Sequence, residues 1–261
     1  MLYESIEKRR QKILDELNAK NKVYVKKLAQ QFGVSMETIR RDLDYLATNN
    51  QLSKIFGGAI KIKNTRLELL YNERAVYNNK VKQLIAATAA NLIQDNDTIA
   101  LLGGSTTEQM TQHLLMKKNL FVITNSLPIS FGLLNCKKDG TFDGRVILVG
   151  GETNTASMAT SGFFAEDMLE RLSVNKAFLS CAGFSPTNIN TFMEEHIMLS
   201  KLLIEKSDLS ILVADSTKMN VHHLYNFATL QDFDMVVCDH EMPDEWINDI
   251  DSERLQWLTA K

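Results

Sequence analysis

The sequence predicts an α/β chain in two parts: three short helices closed by a hairpin, then a larger domain in which helices cover a parallel sheet. Three observations predict this. Charge is unevenly placed: residues 1–63 carry 13 Lys or Arg against 7 Asp or Glu, net +6, while the remainder carries 16 against 25, net −9. Apolar residues in the first sixty positions recur with the helical period. From Lys80 onward, short apolar runs alternate with helical segments, the pattern of strand–helix–strand units. A length of 261 residues with 44% apolar content suits one large or two modest domains with a sizeable core.

In the first part, Ile6, Ile13, Leu14 and Leu17 share one side of a first helix. Val23-Tyr24-Val25 is short and β-branched, a strand lead-in. Leu28, Ala29 and Phe32 give a second, short helix that Gly33 ends. Ser35 is an N-cap candidate, and Ile39, Leu43 and Leu46 mark the buried face of a third helix. That leaves Glu37, Thr38, Arg40, Arg41 and Asp44 for solvent or a partner. Gly57-Gly58, between residues 52–56 and 59–62, reads as the turn between two short strands. This part spans residues 6–62, with the helix–turn–helix at 23–42. Residues 63–79 are mixed and polar and read as a linker plus a lead-in helix.

The second part spans residues 80–261. Val81, Leu84, Ile85 and Leu92 give an amphipathic helix, and residues 98–102 a strand. Gly103 to Thr107 is a loop opening a helix to about Leu115. Residues 121–124 are a strand, with Pro128 suited to the first turn of the helix that follows. A strand at 146–149 ends in Gly150-Gly151, and Gly162 begins a helix to about Leu172. Strands at 177–181, 209–214 and 235–238 and a helix at 193–206 complete the alternation.

Several function classes are excluded at this level. No run of 18 apolar residues offers a membrane span, and the N-terminus lacks the basic and apolar regions of a secretory signal, so a cytoplasmic protein is expected. Cys136, Cys181 and Cys238 are far apart and none has zinc-ligand spacing to a histidine, which predicts reduced thiols, two of them in the core. His222 and His223 are adjacent and would point apart on a regular element. No metal, cofactor or catalytic residue is expected.

A helix pair followed by a basic helix is a helix-turn-helix, and two arginines near a helix N-terminus can reach base edges and phosphates in a major groove. The hairpin, flanked by Lys54 and Lys61, adds a basic wing. Ser35, Glu37, Thr38, Arg40, Arg41, Lys54, Gly57 and Gly58 are therefore the candidate contacts to double-stranded DNA. The spacing Arg9-x3-Ile13-x3-Leu17, then Ser35-x2-Thr38-Ile39-Arg40-Arg41-Asp42-Leu43, resembles the signature of DeoR-type bacterial transcriptional regulators. Where that family usually shows Arg-x-His-Gly-Gly-Ala in the wing, this chain has Lys54-Ile55-Phe56-Gly57-Gly58-Ala59.

Ligands of parallel α/β sheets bind beyond the carboxyl ends of the strands. The loops there offer Gly104-Ser105-Thr106-Thr107, Thr124-Asn125, Gly150-Gly151 and Asp215-x-x-Lys218: small residues, hydroxyls, an amide, an acid and a base. These are the candidate effector contacts, suited to a polar, phosphorylated small molecule. The same segments, with Arg74, Lys82, Gly162 and Ala182-Gly183, resemble the successive motifs of the DeoR sensor domain in order. Gly103 stands where many members carry Asp or Ser, and Ser200-Lys201 where a Lys-Arg pair is frequent. The resemblance implies a fold related to sugar-phosphate isomerases and CoA transferases, and a homo-oligomeric repressor of carbohydrate use released by a phosphorylated sugar. An isomerase-like enzyme with an appended DNA-binding domain is the alternative. A purely architectural DNA binder ranks last, having no use for the second domain.

Overall fold

The computed structural model describes residues 6–20, 22–48, 52–60, 71–251 and 253–261. The chain divides into two compact units, Met1–Arg66 and Leu67–Lys261. The first runs α1 (Ile6–Lys20), β1 (Lys22–Tyr24), α2 (Val25–Phe32), α3 (Met36–Thr48), β2 (Ser53–Ile55) and β3 (Gly58–Ile60). Ile13, Leu17, Leu28, Ile39, Leu43 and Leu46 meet in one core. Ile6, expected on the same side of α1, is exposed; it lies two turns before Ile13, where a groove opens between α1 and α3.

The expected helix ends are present. Gly33 closes α2 in the left-handed conformation, φ +63°, its N–H on the Ala29 carbonyl. The Thr38 N–H donates to Ser35 Oγ at 3.0 Å, capping α3. The hairpin is present with its turn one residue earlier than expected: Phe56 and Gly57 make the turn and Gly58 begins β3. The sheet order is β1–β3–β2, antiparallel throughout. The two glycines have different reasons. Gly57 has φ +78° with open space around it, whereas a Cβ on Gly58 would lie 2.0 Å from the Val23 carbonyl oxygen. Lys61 and residues 63–70 of the expected linker lie outside the described residues.

The second unit opens with α4 (Tyr71–Val76) and α5 (Asn79–Ala90). The chain then lays down β4 (Thr98–Leu101), α6 (Ser105–Gln109), β5 (Phe121–Thr124), α7 (Leu127–Lys138) and β6 (Arg145–Leu148), stepping outward to one edge of the sheet. A hairpin of β7 (Glu152–Asn154) and β8 (Ala159–Ser161), then α8 (Phe163–Glu170), brings it back to β9 (Val174–Leu179), beside β4. It continues through β10 (Gly183–Ser185), β11 (Asn188–Thr191), α9 (Ile197–Glu205), β12 (Ser207–Val213), β13 (Tyr225–Ala228), β14 (Met235–Cys238) and β15 (Gln256–Thr259). The main sheet has seven strands in the order β15–β14–β12–β9–β4–β5–β6, all parallel.

Alternate residues of each strand feed opposite cores, as a sheet covered on both faces requires. Ile99, Leu101 and Val122 pack with Ile85 and Ala89 of α5 and with Ile129 and Leu133 of α7. Ala100, Ile123 and Leu212 pack on the other side with Leu169 of α8 and Leu199 and Leu203 of α9. Strand order and covering face both change between β4 and β9. That is the topological switch point, where a crevice opens at the carboxyl ends.

Boundaries shift where ends are irregular. The helix expected after the Gly103–Thr107 loop, running to about Leu115, begins within that loop as α6 and continues as a 3-10 turn, Met110–His113. The one expected at 193–206 begins with a 3-10 turn, Glu194–His196. Strand β9 starts and ends earlier than 177–181, which leaves Ser180 and Cys181 to the loop over the crevice. Strands β7, β8, β10, β11, β13 and β15 were not expected; at three or four residues of mixed polarity, none is long enough to show a period.

Candidate functional site

On α3, the first two turns present Glu37, Thr38, Arg40 and Arg41 together. The arginine side chains are 57% and 80% exposed and flank Glu37, at 3.3 Å and 3.8 Å from its carboxylate. Exposed pairs of this kind contribute little and exchange readily for another anion. Ser35 stands at the helix start with its hydroxyl engaged by the Thr38 N–H and, at 2.8 Å, by the Thr38 hydroxyl. Lys54, on β2, pairs with exposed Asp44 of α3. Gly57 lies at the hairpin tip beside Phe56, which is fully exposed; Gly58 is inside the sheet, buried.

Asp42 was not singled out from the sequence as part of this site. It is 2% exposed and takes one arginine on each oxygen: Arg9 Nε at 2.6 Å and Arg10 Nε at 3.0 Å. The Arg10 guanidinium also lies 3.6 Å from the centre of the Tyr45 ring. One carboxylate thus ties α1 to α3 and sets the angle at which α3 is offered. The available signal was charge at core positions: Arg9 lies one helical turn before Ile13, and Asp42 sits between core residues Ile39 and Leu43.

In the second unit the expected contacts separate into two groups. Gly104 and Asn125 are adjacent, since the Gly103 N–H donates to Asn125 Oδ1 at 2.8 Å. Gly104 itself is pressed against β9: a Cβ there would lie 2.1 Å from Ser180 Oγ. Asp215, after β12, is two strands from β4, about 10 Å across the ladder. Gly150 and Gly151 follow the edge strand β6, four strands and about 19 Å from Asp215, too far for one small sugar to span. Several expected donors also hold the frame itself. Thr107 Oγ1 donates to the Leu102 and Gly104 carbonyls, and Thr124 Oγ1 to the Leu101 carbonyl. The Asn125 amide donates to the Thr160 carbonyl.

The crevice itself is a cavity of about 30 Å³ lined by Arg74, Gly103, Ser180, Thr191, His196 and Ser200 among others. His196 lines it, and its buried Nε2 has no hydrogen-bond partner among the described residues. Buried polar groups are normally satisfied, so this nitrogen calls for a polar partner. Burial, then Arg74, hold His196 below its ordinary pKa against the pull of Glu195, which keeps the imidazole neutral.

Charged groups frame the crevice. Lys82 is buried and donates to the carbonyls of Arg74 and, at 2.7 Å, Tyr77. Burial, with Lys218 adding to it, brings its pKa down to about 8. Burial pushes the Asp215 carboxyl up, but Lys218, Thr217 and Lys82 outweigh it and leave the group below its ordinary value. Lys218 Nζ stands 3.9 Å from that carboxylate. Arg74 and His196 were not expected here from residue chemistry. Burial raises the Cys181 and Cys238 thiols to about 12, as inert core residues require.

Among the described residues, no group of three or more His, Cys, Asp or Glu could hold a metal ion. None of the described helices is long and apolar enough to cross a membrane.

Residues 9–65 match the DeoR-like helix-turn-helix domain, and residues 77–240 match the DeoR C terminal sensor domain. The chain is similar to the uncharacterized HTH-type transcriptional regulator YulB of Bacillus subtilis, at 36% identity over 90% of this chain and 89% of that one. It is 31% identical to the L-fucose operon activator of Haemophilus influenzae, over 89% of this chain and 91% of the relative. It is 30% identical to the lactose phosphotransferase system repressor of Lactococcus lactis, over 90% of this chain and 91% of the relative. Among solved structures it is similar to ribose 5-phosphate isomerase from Plasmodium falciparum, at 17% identity and a TM-score of 0.38, over 54% of this chain and 53% of that one. Both matched domains, covering most of the chain in the family's order, make this protein a member of the DeoR family of helix-turn-helix transcriptional regulators.

Proposed function

We propose that the protein represses a carbohydrate-utilisation operon and that a phosphorylated sugar, bound at the switch-point crevice, weakens its hold on operator DNA. The observation that carries this reading is the crevice. Arg74, Lys82 and Lys218 bring positive charge to one end of the sheet, beside neutral His196 and the crevice hydroxyls of Ser180, Thr191 and Ser200. A phosphate with a polyol attached matches that mixture of cations and hydroxyl partners. Relatives named for lactose and L-fucose systems support the substrate class; one is called a repressor and the other an activator, so the direction of control rests on the experiment. For an enzyme, a positioned acid–base pair would be needed, and the Asp215 carboxylate is instead occupied by Thr217 and Lys218.

At the DNA, Arg40 and Arg41 are assigned to base edges and phosphates, Lys54 and the turn at Gly57 to the backbone. One recognition helix covers a short half-site, so a symmetric dimer or tetramer on repeated half-sites is expected. Fluorescence anisotropy with operator DNA at fixed salt tests the reading. Arg40→Ala or Arg41→Ala should cost about 1–3 kcal/mol, with relaxed sequence preference for a base-reading arginine. Lys54→Ala should weaken all sequences alike and flatten the salt dependence. A sugar phosphate should lower operator affinity. If the two arginine variants bind as the wild type does, α3 is not the reading helix; if no sugar phosphate changes the affinity, the sensing half of the proposal fails.

A further inference from the structure

We propose that the β6 edge of the main sheet, with α7 on one side of it and α8 on the other, is the surface through which two copies of this chain join, β6 pairing antiparallel with β6 of the second copy. The inference builds on the symmetric oligomer expected at operator DNA and names the surface that forms it.

The edge is open. Strand β6 ends the seven-strand sheet, and among the described residues no strand pairs with its outer side. The Arg145 N–H donates to the Leu120 carbonyl and the Val149 N–H to the Thr124 carbonyl, both at 2.8 Å. Backbone groups alternate in direction along a strand, so Val146 and Leu148 turn theirs outward. The run Val146-Ile147-Leu148 has no proline, lysine or bulge, devices that keep an edge from pairing. Arg145, the one charge on the strand, lies over the Phe121 ring of β5, 4.7 Å from its centre, and so is turned in toward the sheet.

The covering helices bring apolar side chains to the same edge. On α7, Ile129 and Leu133 pack on the sheet, while Phe131 and Leu134 are 68% and 52% exposed. On α8, Ala165 and Leu169 pack on the opposite face, while Phe163 and Phe164 are 74% and 75% exposed, their rings edge-to-face at 5.7 Å. Parallel sheets use right-handed crossovers. In such a crossover a right-handed helix with Ile129 or Ala165 on the sheet turns Leu134 or Phe164 to the β6 side. Gly151, too far from the crevice for the sugar, has a use here. A Cβ on it would lie 2.4 Å from the Ser161 carbonyl oxygen and 3.3 Å from Ala165 Cβ. Glycine thus lets the first turn of α8, which carries both phenylalanines, close onto the end of β6.

A second copy is the occupant that fits. Antiparallel pairing about a two-fold axis at Ile147 sets Val146 opposite Leu148 of the other copy on both sides of the axis. The outward N–H and carbonyl groups of each such pair then bond to each other. The same axis places α7 beside α7 and α8 beside α8, so each apolar flank meets its own counterpart. The three phenylalanines leave on the order of 400 Å² bare on each copy. With the leucines and the strand, a pair would cover about 1,000 Å² or more, the size at which an interface becomes specific.

Sedimentation velocity and oxidative cross-linking, both on the full chain, test this. The wild type should sediment as a dimer or a multiple of one. Leu134→Glu with Phe164→Glu should raise the dissociation constant at least about thirtyfold, the effect of losing one central interface residue. An unchanged circular dichroism spectrum shows that this variant is folded. Cross-linking uses the Cys136→Ala background, since Cys181 and Cys238 are buried. There Ile147→Cys should oxidise to a covalent dimer, its two Cα atoms standing about 4.5 Å apart across the axis. Leu148→Cys should not, because its own counterpart lies beyond the roughly 7 Å limit for a disulfide. A wild-type oligomer that survives the two glutamates, or that cross-links through Leu148→Cys and not Ile147→Cys, overturns the β6 edge and leaves the symmetric oligomer standing. A wild type that is monomeric both free and on operator DNA overturns both. If the glutamate variant is monomeric yet binds operator as the wild type does, the edge stands and the need for a symmetric oligomer at the operator falls.

Discussion

Asp42 is a single buried carboxylate answering two guanidiniums, and its neighbours on α3 are the arginines proposed to contact DNA. Removing its charge leaves Arg9 and Arg10 facing each other without a counter-ion in a region only partly open to water. Breaking a buried pair from one side costs about 3–5 kcal/mol. Asn can still accept one of the two bonds, so Asp42→Asn should cost about 3 kcal/mol in the first unit, a loss of roughly 10 °C or more in its melting transition. Calorimetry of the full chain should show that transition falling while the second unit's stays in place, and operator binding should weaken although no DNA contact has been removed. A variant that melts normally would mean that α1 and α3 are held by the apolar core alone. The sequence made Arg40 and Arg41 legible because they lie off the Ile39–Leu43–Leu46 stripe. It left the role of Asp42 hidden: an acid directly after two arginines reads equally well as one more solvated charge until the α1–α3 packing is known.

Among the elements, the wing and the β4–α6 turn show how one residue type serves different ends. Gly57 needs its conformation and Gly58 needs its lack of a side chain. Gly57→Asn should therefore be tolerated, because Asn enters the left-handed region at low cost. Gly58→Ala should cost about 1–3 kcal/mol and impair the wing, because the added carbon meets the Val23 carbonyl of the neighbouring strand. Urea denaturation of the two variants checks the order; equal stability would mean the β1–β3 pair can spread without penalty. Gly104 belongs with Gly58, being pressed against Ser180 across the β4–β9 pair. That is a reading of Gly104 as packing, where the sequence suggested a backbone open to a phosphate. Pattern reasoning found the long elements and their caps, because apolar period and cap chemistry are local. The six short strands escaped it, because their pairing partners lie elsewhere in the chain.

For the whole molecule, the burial of charge beside the crevice predicts a pH dependence. Lys82 has a folded pKa of about 8 against an ordinary value of 10.5. Below pH 8 the ammonium is present in both folded and unfolded chains, and the folded state bears the cost of burying it. Above 10.5 both states are neutral and the cost is gone. Stability should therefore rise with pH across that window from this group, by about 2 kcal/mol between pH 7.5 and 9.5. Tyr71 and Tyr77, both raised above their ordinary pKa chiefly by burial, oppose the trend only above about pH 10, where unfolded tyrosine ionises. The Cys181 and Cys238 thiols, raised to about 12 by burial, oppose the trend as soon as unfolded thiols ionise at about pH 8.5, so the Lys82 contribution is read as a difference. In denaturant titrations, the change in stability from pH 7.5 to 9.5 should be about 2 kcal/mol more favourable in the wild type than in Lys82→Met; equal changes would mean that Lys82 stays charged throughout.

The sequence by itself determined the family, the two-part charge distribution, the helix proposed to face DNA and the parallel α/β class. All of these follow from periods, caps and motif spacing that a linear chain displays. Only the tertiary structure decided which loops share a site. The reversal of strand order between β4 and β9 brings Arg74, Gly104, Ser180, His196 and Asp215 to one end of the sheet and leaves Gly150 and Gly151 at its far edge. Strand order is a property of non-local pairing. Residues 74 and 196 are separated by more than a hundred positions, and nothing in their spacing announces that folding will place both on one cavity.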